Sequence, residues 1–296
     1  MASSSLAELL ALWDFADAAA SETRFRDAAS KAAAVGDTEF ELEALTQAAR
    51  AAGLQRRFSE AHQVLDGVEA RLPSGESRTR IRLSLERGRI WNSSGAPERA
   101  SPLFLRAWES ANSLREEFLA IDAAHMLGIV EPPESAREWN RLALERAEAS
   151  SDPPARRWRG SLRSNIGWAH HDAGEFDKAL ECFEEALRAR VEQGEPELIR
   201  VAKWCVARAL RSLGRLREAL ALQTELREES QRGGSPDGYV EEEIGECLLE
   251  LGRADEARPH FAAAHAALSK DAALSGREPE RLERLRLLGR DTAKRE

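Results

Sequence analysis

One small setting recurs along this chain and limits what it can fold into: an alanine that follows a loop, with an aromatic or apolar residue three positions ahead of it. The clearest copies are GEFDKA ending at Ala179, GRLREA at Ala219 and GRADEA at Ala257. Four looser copies precede them, at Ala28 (TRFRDA), Ala61 (RRFSEA), Ala100 (GAPERA) and Ala136 (EPPESA), with successive spacings of 33, 39, 36, 43, 40 and 38 residues. Self-similarity at such a period is the mark of a repeat array, in which each unit buries its apolar face against its neighbours.

The register extends beyond the anchor. Twelve positions upstream stands a small residue in every copy: Ala16, Ala49, Gly88, Ala124, Gly167, Ala207 and Gly245. Seven positions downstream the residue is apolar each time: Val35, Val68, Ala107, Ala143, Ala186, Leu226 and Ala264. Antiparallel helices approach closely only where small side chains occupy their crossing points, so this register predicts a helical hairpin per copy. Gly95, Gly174, Gly214 and Gly252, each five residues before an anchor, are placed to end the first helix in a left-handed conformation. Pro97 and Pro133 fall in the first turn of the next helix, which tolerates a missing N–H. Pro73-Ser74-Gly75, Pro153-Pro154, Gly194 to Pro196 and Gly233 to Pro236 mark the turns between hairpins.

The expected fold is therefore all-α: a right-handed α-solenoid of about seven helical hairpins, some fourteen helices, closed by a capping helix near Glu278 to Leu288. In that helix Arg281, Arg284 and Arg286 are expected outward, with Leu282, Leu285 and Leu288 inward. Residues 1–289 read as one continuous array, Asp152-Pro153-Pro154 as its best candidate bend, and residues 290–296 as a disordered tail.

Composition agrees with helices and excludes some partners. Hydrophobic residues are 42% and charged residues 32% of the 296. A formal charge of −9 repels phosphate backbones, and no basic run offsets it, so nucleic acid is not an expected partner. No apolar stretch approaches the roughly 18 residues of a membrane span, and the N-terminus lacks a positive leader. Three scattered cysteines, Cys182, Cys205 and Cys247, fit reduced thiols, and the expected location is cytoplasmic.

The segment SLRSNIGWAHHDAGEFDKALECFEEAL, from Ser161 to Leu187, resembles the tetratricopeptide-repeat pattern, with Ile166-Gly167, Gly174, Phe176, Ala179, Phe183 and Ala186 in its packing slots. The resemblance spans roughly residues 8 to 270, in a long-hairpin form similar to bacterial regulators and adaptors. It implies that the first helix of each hairpin lines a concave face. Members that clamp chaperone C-termini do so with lysines and asparagines. The matching positions here are Thr46, Arg50, Leu85, Glu86 and Arg89, a poor fit.

Residues at fixed offsets on those first helices then become neighbours. Eleven before the anchor stand Asp17, Arg50, Arg89, His125, Trp168, Arg208 and Glu246; fourteen before stand Asp14, Gln47, Glu86, Asp122, Asn165, Cys205 and Glu243. Eight before stand Asn92, His171 and Arg211 among smaller residues. Offsets three apart share one helix face. Guanidinium forks, imidazoles, indoles and amides gather there, so the candidate ligand-binding set is Arg50, Arg89, Asn92, Asp122, His125, Asn165, Trp168, His171, Trp204, Arg208 and Arg211.

Two functions fit that set. One is a non-enzymatic scaffold that binds a protein or peptide through an acidic group, with Arg50, Arg89, Arg208 and Arg211 as counter-charges. The other is a sensor whose closed groove holds a small anionic ligand. The bland alternative is a ladder in which Arg50 pairs with Glu86 or Asp14, and Arg89 with Asp122, for stability alone. A third reading makes His125 with Asp122, and His171 with Asp172, a metal or acid–base site, although the spacing matches no metal motif. His170 is assigned to the core beside Trp168, as are Trp13, Trp91, Trp108, Trp139 and Trp158. No cofactor and no catalytic residue is implied, and the oligomeric state is not encoded in any recognisable pattern.

Overall fold

A computed structural model of the chain describes residues 2–232, 234 and 237–290. Gly233, Ser235 and Pro236 of the last interhairpin turn, and residues 291–296 of the expected tail, lie outside the described residues. Every regular element described is a helix, and no helix is long and apolar enough to cross a membrane. Two compact units form, one up to Trp158 and one from Arg159 onward, dividing four residues past Pro154.

The first unit holds α1 (Ala2–Ala11), α2 (Ala18–Ala34), α3 (Thr38–Leu54), α4 (Phe58–Arg71), α5 (Arg78–Ser93), α6 (Pro97–Leu114), α7 (Glu117–Val130), α8 (Pro133–Ala149) and the short α9 (Pro153–Arg156). The second holds α10 (Trp158–Asp172, whose first residue closes the first unit), α11 (Phe176–Gln193), α12 (Pro196–Ser212), α13 (Leu216–Arg232), α14 (Gly238–Glu250), α15 (Ala254–Leu268), α16 (Ala272–Arg277) and α17 (Pro279–Leu288). Consecutive helices pair as hairpins: α3 with α4, α5 with α6, α7 with α8, α10 with α11, α12 with α13 and α14 with α15.

Six of the seven anchors lie in the predicted place, because α4, α6, α8, α11, α13 and α15 each begin three residues before one. Ala61, Ala100, Ala179, Ala219 and Ala257 are buried, and Ala136 is half-buried. The contact that fixes each crossing lies one turn further along. A Cβ added at Gly88 would meet the Phe104 ring at 2.5 Å, one at Gly167 the Phe183 ring at 2.6 Å, and one at Gly245 the Phe261 ring at 2.8 Å. The small residue on the first helix thus receives a phenylalanine four places after the anchor on the second. Burying such a ring contributes roughly 1.5–3 kcal/mol. Leu65, Asn140 and Gln223 take that slot in the other three hairpins, and the Asn140 amide donates to the backbone oxygens of Gly128 and Ala136.

Turn chemistry matches expectation. Gly95, Gly174, Gly214 and Gly252 all have φ between 73° and 89°, where a side chain would be strained. Pro97 and Pro133 open α6 and α8. Asp17, Asp37, Ser77 and Asp237 cap α2, α3, α5 and α14 by accepting from first-turn N–H groups.

The first copy is corrected. Helix α2 starts at Ala18, ten residues before Ala28, so the helix-initial position belongs to Ser21, which is buried, and Phe25 is the fully buried ring four places on. The TRFRDA match is a slip of seven residues, two helical turns, which preserves the buried face and so keeps the pattern while misplacing the start. As a result Asp14, Ala16 and Asp17 fall in the loop between α1 and α2, not on an inner helix, and Val35, from the downstream apolar slot, is 79% exposed. The capping helix also differs in part. Leu282 and Leu285 are buried as expected, but Arg281 and Arg284 turn to Glu242 and Glu246 of α14.

The crossings predict opposite signs for two glycines. Gly88→Ala should destabilise the chain by roughly 1–3 kcal/mol through overpacking against Phe104. Gly67→Ala, on the exposed face of α4 with nothing within 4 Å, should stabilise it by about 0.5–1 kcal/mol. Urea denaturation of both variants reads the difference.

Candidate functional site

In the first unit the inner helices α3, α5 and α7 carry a buried polar ladder. Glu86 is its hub: it accepts from the Gln47 amide at 3.0 Å and from Arg89 at 2.9 Å. Arg89 continues to Asp122 on α7 through a close ion pair. Burial opposes the charge on Arg89, but Asp122 and Glu86 outweigh it and hold the guanidinium above its ordinary pKa. Asp122 answers in kind: burial works against its carboxylate, and Arg89 with Arg50 more than reverses this, so its pKa falls.

Arg50 is differently placed. Its nearest carboxylate oxygen, on Glu86, is 3.8 Å away, beyond hydrogen-bond range, and its side chain is 26% exposed. Its guanidinium sits over the rings of Trp13 and Phe15, 5.2 and 5.5 Å from their centroids. Burial and the like charge of Arg89 depress its pKa, so this cation is incompletely compensated. A cavity of about 170 Å³ opens beside it, lined by Arg50, Arg89, Asn92, Ser93, Leu54 and Met126. Trp13, assigned to the core from sequence, packs against it beside Phe25, and also donates its indole N–H to Gln47 at 3.1 Å and helps frame this site.

His125 lies next to Asp122 and 4.9 Å from the Trp158 ring. Burial is the main cause that drives its pKa down to about 4, against the opposing pull of Asp122. It is a neutral imidazole at physiological pH.

In the second unit, Trp168 on α10 packs on Phe183 at 5.1 Å and on Trp204 of α12 at 6.1 Å. His171 stands 2.9 Å from the Ser212 hydroxyl, between the rings of Trp168 and Phe176, with the exposed Asp172 carboxylate 3.9 Å away. Asn165 is half-buried on α10. Arg208 and Arg211 both reach Glu243 on α14 at 2.8 Å, and Arg211 also reaches Glu250 at 2.7 Å. Glu246 and Glu242 continue the ladder to Arg284 and Arg281 on α17. His170, expected in the core, is a surface group paired with Glu175.

Among the described residues no group of three or more His, Cys, Asp or Glu side chains is gathered as a metal would require. Burial raises the Cys205 thiol to about 11 and the Cys247 thiol to about 12, which makes both poor nucleophiles. Sequence reasoning found the ladder and Trp204 but missed the rest of an apolar recess of about 300 Å³ in the second unit, lined by Val201, Trp204, Leu226, Tyr239 and Val240 with Glu197, Arg200, Ser230 and Asp237 around them. Val201 and Tyr239 were not on any of the three offsets; their exposure, at 60% and 41%, is what distinguishes them from core residues.

Residues 161–190 match the family model for the tetratricopeptide repeat. No curated protein matches the chain. Among solved structures, the apo form of the quorum sensor NprR from B. thuringiensis is similar at 16% identity and a TM-score of 0.65, covering 97% of this chain and 80% of that one. NprR in complex with its cognate peptide NprX is similar at 15% identity and a TM-score of 0.56, covering 82% and 71%. A tetratricopeptide repeat protein from Parabacteroides merdae gives 14% identity and a TM-score of 0.54, covering 97% and 98%. One segment of the chain thus matches the repeat itself, and the hairpins follow the tetratricopeptide-repeat fold.

The depressed His125 pKa has a definite pH consequence. Between about 6.5 and 4 the unfolded chain binds a proton that the folded chain refuses, so the group's contribution is complete above pH 6.5 and is lost as pH falls toward 4. Each pH unit of that window carries up to ~1.4 kcal/mol. His125→Gln should flatten the stability profile between pH 6.5 and 4 relative to the parent chain, as read by denaturant midpoints at stepped pH.

Proposed function

We propose that this chain is a non-enzymatic scaffold that binds a peptide or protein segment and receives an anionic group of it, such as a terminal carboxylate, against Arg50. One observation carries the reading: Arg50 is the inner-helix guanidinium that stands outside hydrogen-bond range of its carboxylate neighbour and borders a cavity. A ligand oxygen there would supply the compensation that Glu86 gives only at 3.8 Å. Asn92 and Ser93, lining the same cavity, offer an amide and a hydroxyl to a peptide backbone. Arg89, Arg208 and Arg211 each already hold carboxylates, so their role in this reading is to orient the ladder and shape the wall. The NprR structure with its cognate peptide supports a peptide as the kind of ligand this fold accommodates.

The test uses a pool of N-terminally labelled pentapeptides, made once with free C-terminal carboxylates and once amidated, followed by fluorescence polarisation. The free acids should bind at least tenfold more tightly. Arg50→Ala should erase that difference, whereas Arg141→Ala, which removes exposed ion pairs on α8, should leave it intact. Equal binding of acids and amides, or an unchanged Arg50→Ala variant, would contradict the reading.

A further inference from the structure

We infer that the recess in the second unit is a side-chain pocket for a peptide residue with a large apolar side chain, an aromatic one above all, next to a basic residue. The inference rests on the proposed peptide-binding role but concerns a different set of residues, none of them in the Arg50 site.

The recess lies where the first half of α12, the end of α13 and the start of α14 meet. Residues Glu197, Arg200, Val201 and Trp204 present one stripe of α12, at positions i, i+3, i+4 and i+7, which share a helix face. Val240, Leu226 and Trp204 belong to, or pack on, the hydrophobic core and form the floor. Val201 and Tyr239 rise beside them, exposed, although both have apolar surface that the fold could have covered. Tyr239 is also held from behind: the Arg281 guanidinium lies 5.4 Å from its ring centroid, and Arg281 is fixed in turn by Glu242 and Glu278. The wall is therefore built before any ligand arrives, which lowers the ordering cost of binding.

Size and charge select the occupant. A volume of about 300 Å³ exceeds what an aliphatic side chain fills and accommodates a six-membered or indole ring. The charged groups around it are Glu197, Asp237 and Arg200, and Arg200 is already engaged with Glu197. The mouth keeps a net negative charge, in a chain of formal charge −9, so a cation beside the apolar residue is favoured and an anion is not.

The experiment uses the full chain and three acetylated, amidated hexapeptides that carry no terminal carboxylate: Gly-Gly-Lys-Phe-Gly-Gly, the same with Ala for Phe, and the same with Glu for Lys. Binding is read by NMR titration, with the indole N–H of Trp204 as reporter, since that group is buried and makes no hydrogen bond in the fold. The Lys-Phe peptide should shift that signal and bind about tenfold more tightly than either variant. Val201→Lys, at an exposed helix position where the new side chain sits one turn after Glu197, should retain the fold and abolish the preference. Equal binding of the Phe and Ala peptides, equal binding of the Lys and Glu peptides, or an indifferent Val201→Lys variant would overturn the inference. Because the two lysine peptides lack a carboxylate, Arg50→Ala should not alter their titrations, so a failure of the Phe-over-Ala preference is separable from a failure of the Arg50 site.

Discussion

A phenylalanine ring laid on a glycine is the contact on which the architecture depends. At Gly88, Gly167 and Gly245 even a single added carbon would collide with the ring opposite, and the rings of Phe104, Phe183 and Phe261 are fully buried or nearly so. Interiors packed this closely do not deform continuously. The crossing therefore fixes the relative rotation of the two helices of a hairpin, and that rotation decides which residues of α5, α10 and α14 face the core and which face the site.

Once the faces are set, electrostatics divides the inner residues into those that pair closely with one another and those held more loosely. Arg89, Arg208 and Arg211 hold acid partners at 2.9 Å or closer. Removing one member of such a partly buried pair leaves an uncompensated charge behind, so these groups act mainly on the integrity of the ladder. Arg50 stands at the edge of the same network, over the rings of Trp13 and Phe15, and sees a like charge in Arg89 as well as acid. On the inner helices α3 and α5, Arg50 thus lies 3.8 Å and Arg89 2.9 Å from the Glu86 carboxylate, so pairing is close at one guanidinium and loose at the other.

The repeat register was legible because it is a packing rule, and packing rules leave small residues at regular intervals. Six anchors, the glycine caps, Pro97 and Pro133 all fell where the sequence placed them, and the ladder partners Glu86 and Asp122 were foreseen. The first copy was not, because Phe25 satisfies the pattern equally well as the residue before the anchor or the one after it, and only the Asp17 cap settles which. His170 was misassigned to the core for a related reason: an imidazole ring among apolar neighbours reads the same whether its polar atoms are buried or, as here, paired with Glu175. Of the apolar recess only Trp204 was legible, since the rest is made by the end of α13 meeting α12 and the start of α14, and spacing along one helix carries no information about such a junction.

The glycine–phenylalanine crossing is tested most directly by a double-mutant cycle on Gly88→Ala and Phe104→Leu, measured by equilibrium unfolding. If the ring and the missing Cβ share one space, the smaller side chain relieves the clash, and the double variant should be more stable than the sum of the single effects by more than about 1 kcal/mol. Additivity within about 0.5 kcal/mol would mean that the two positions do not meet, and the register built on them would be wrong.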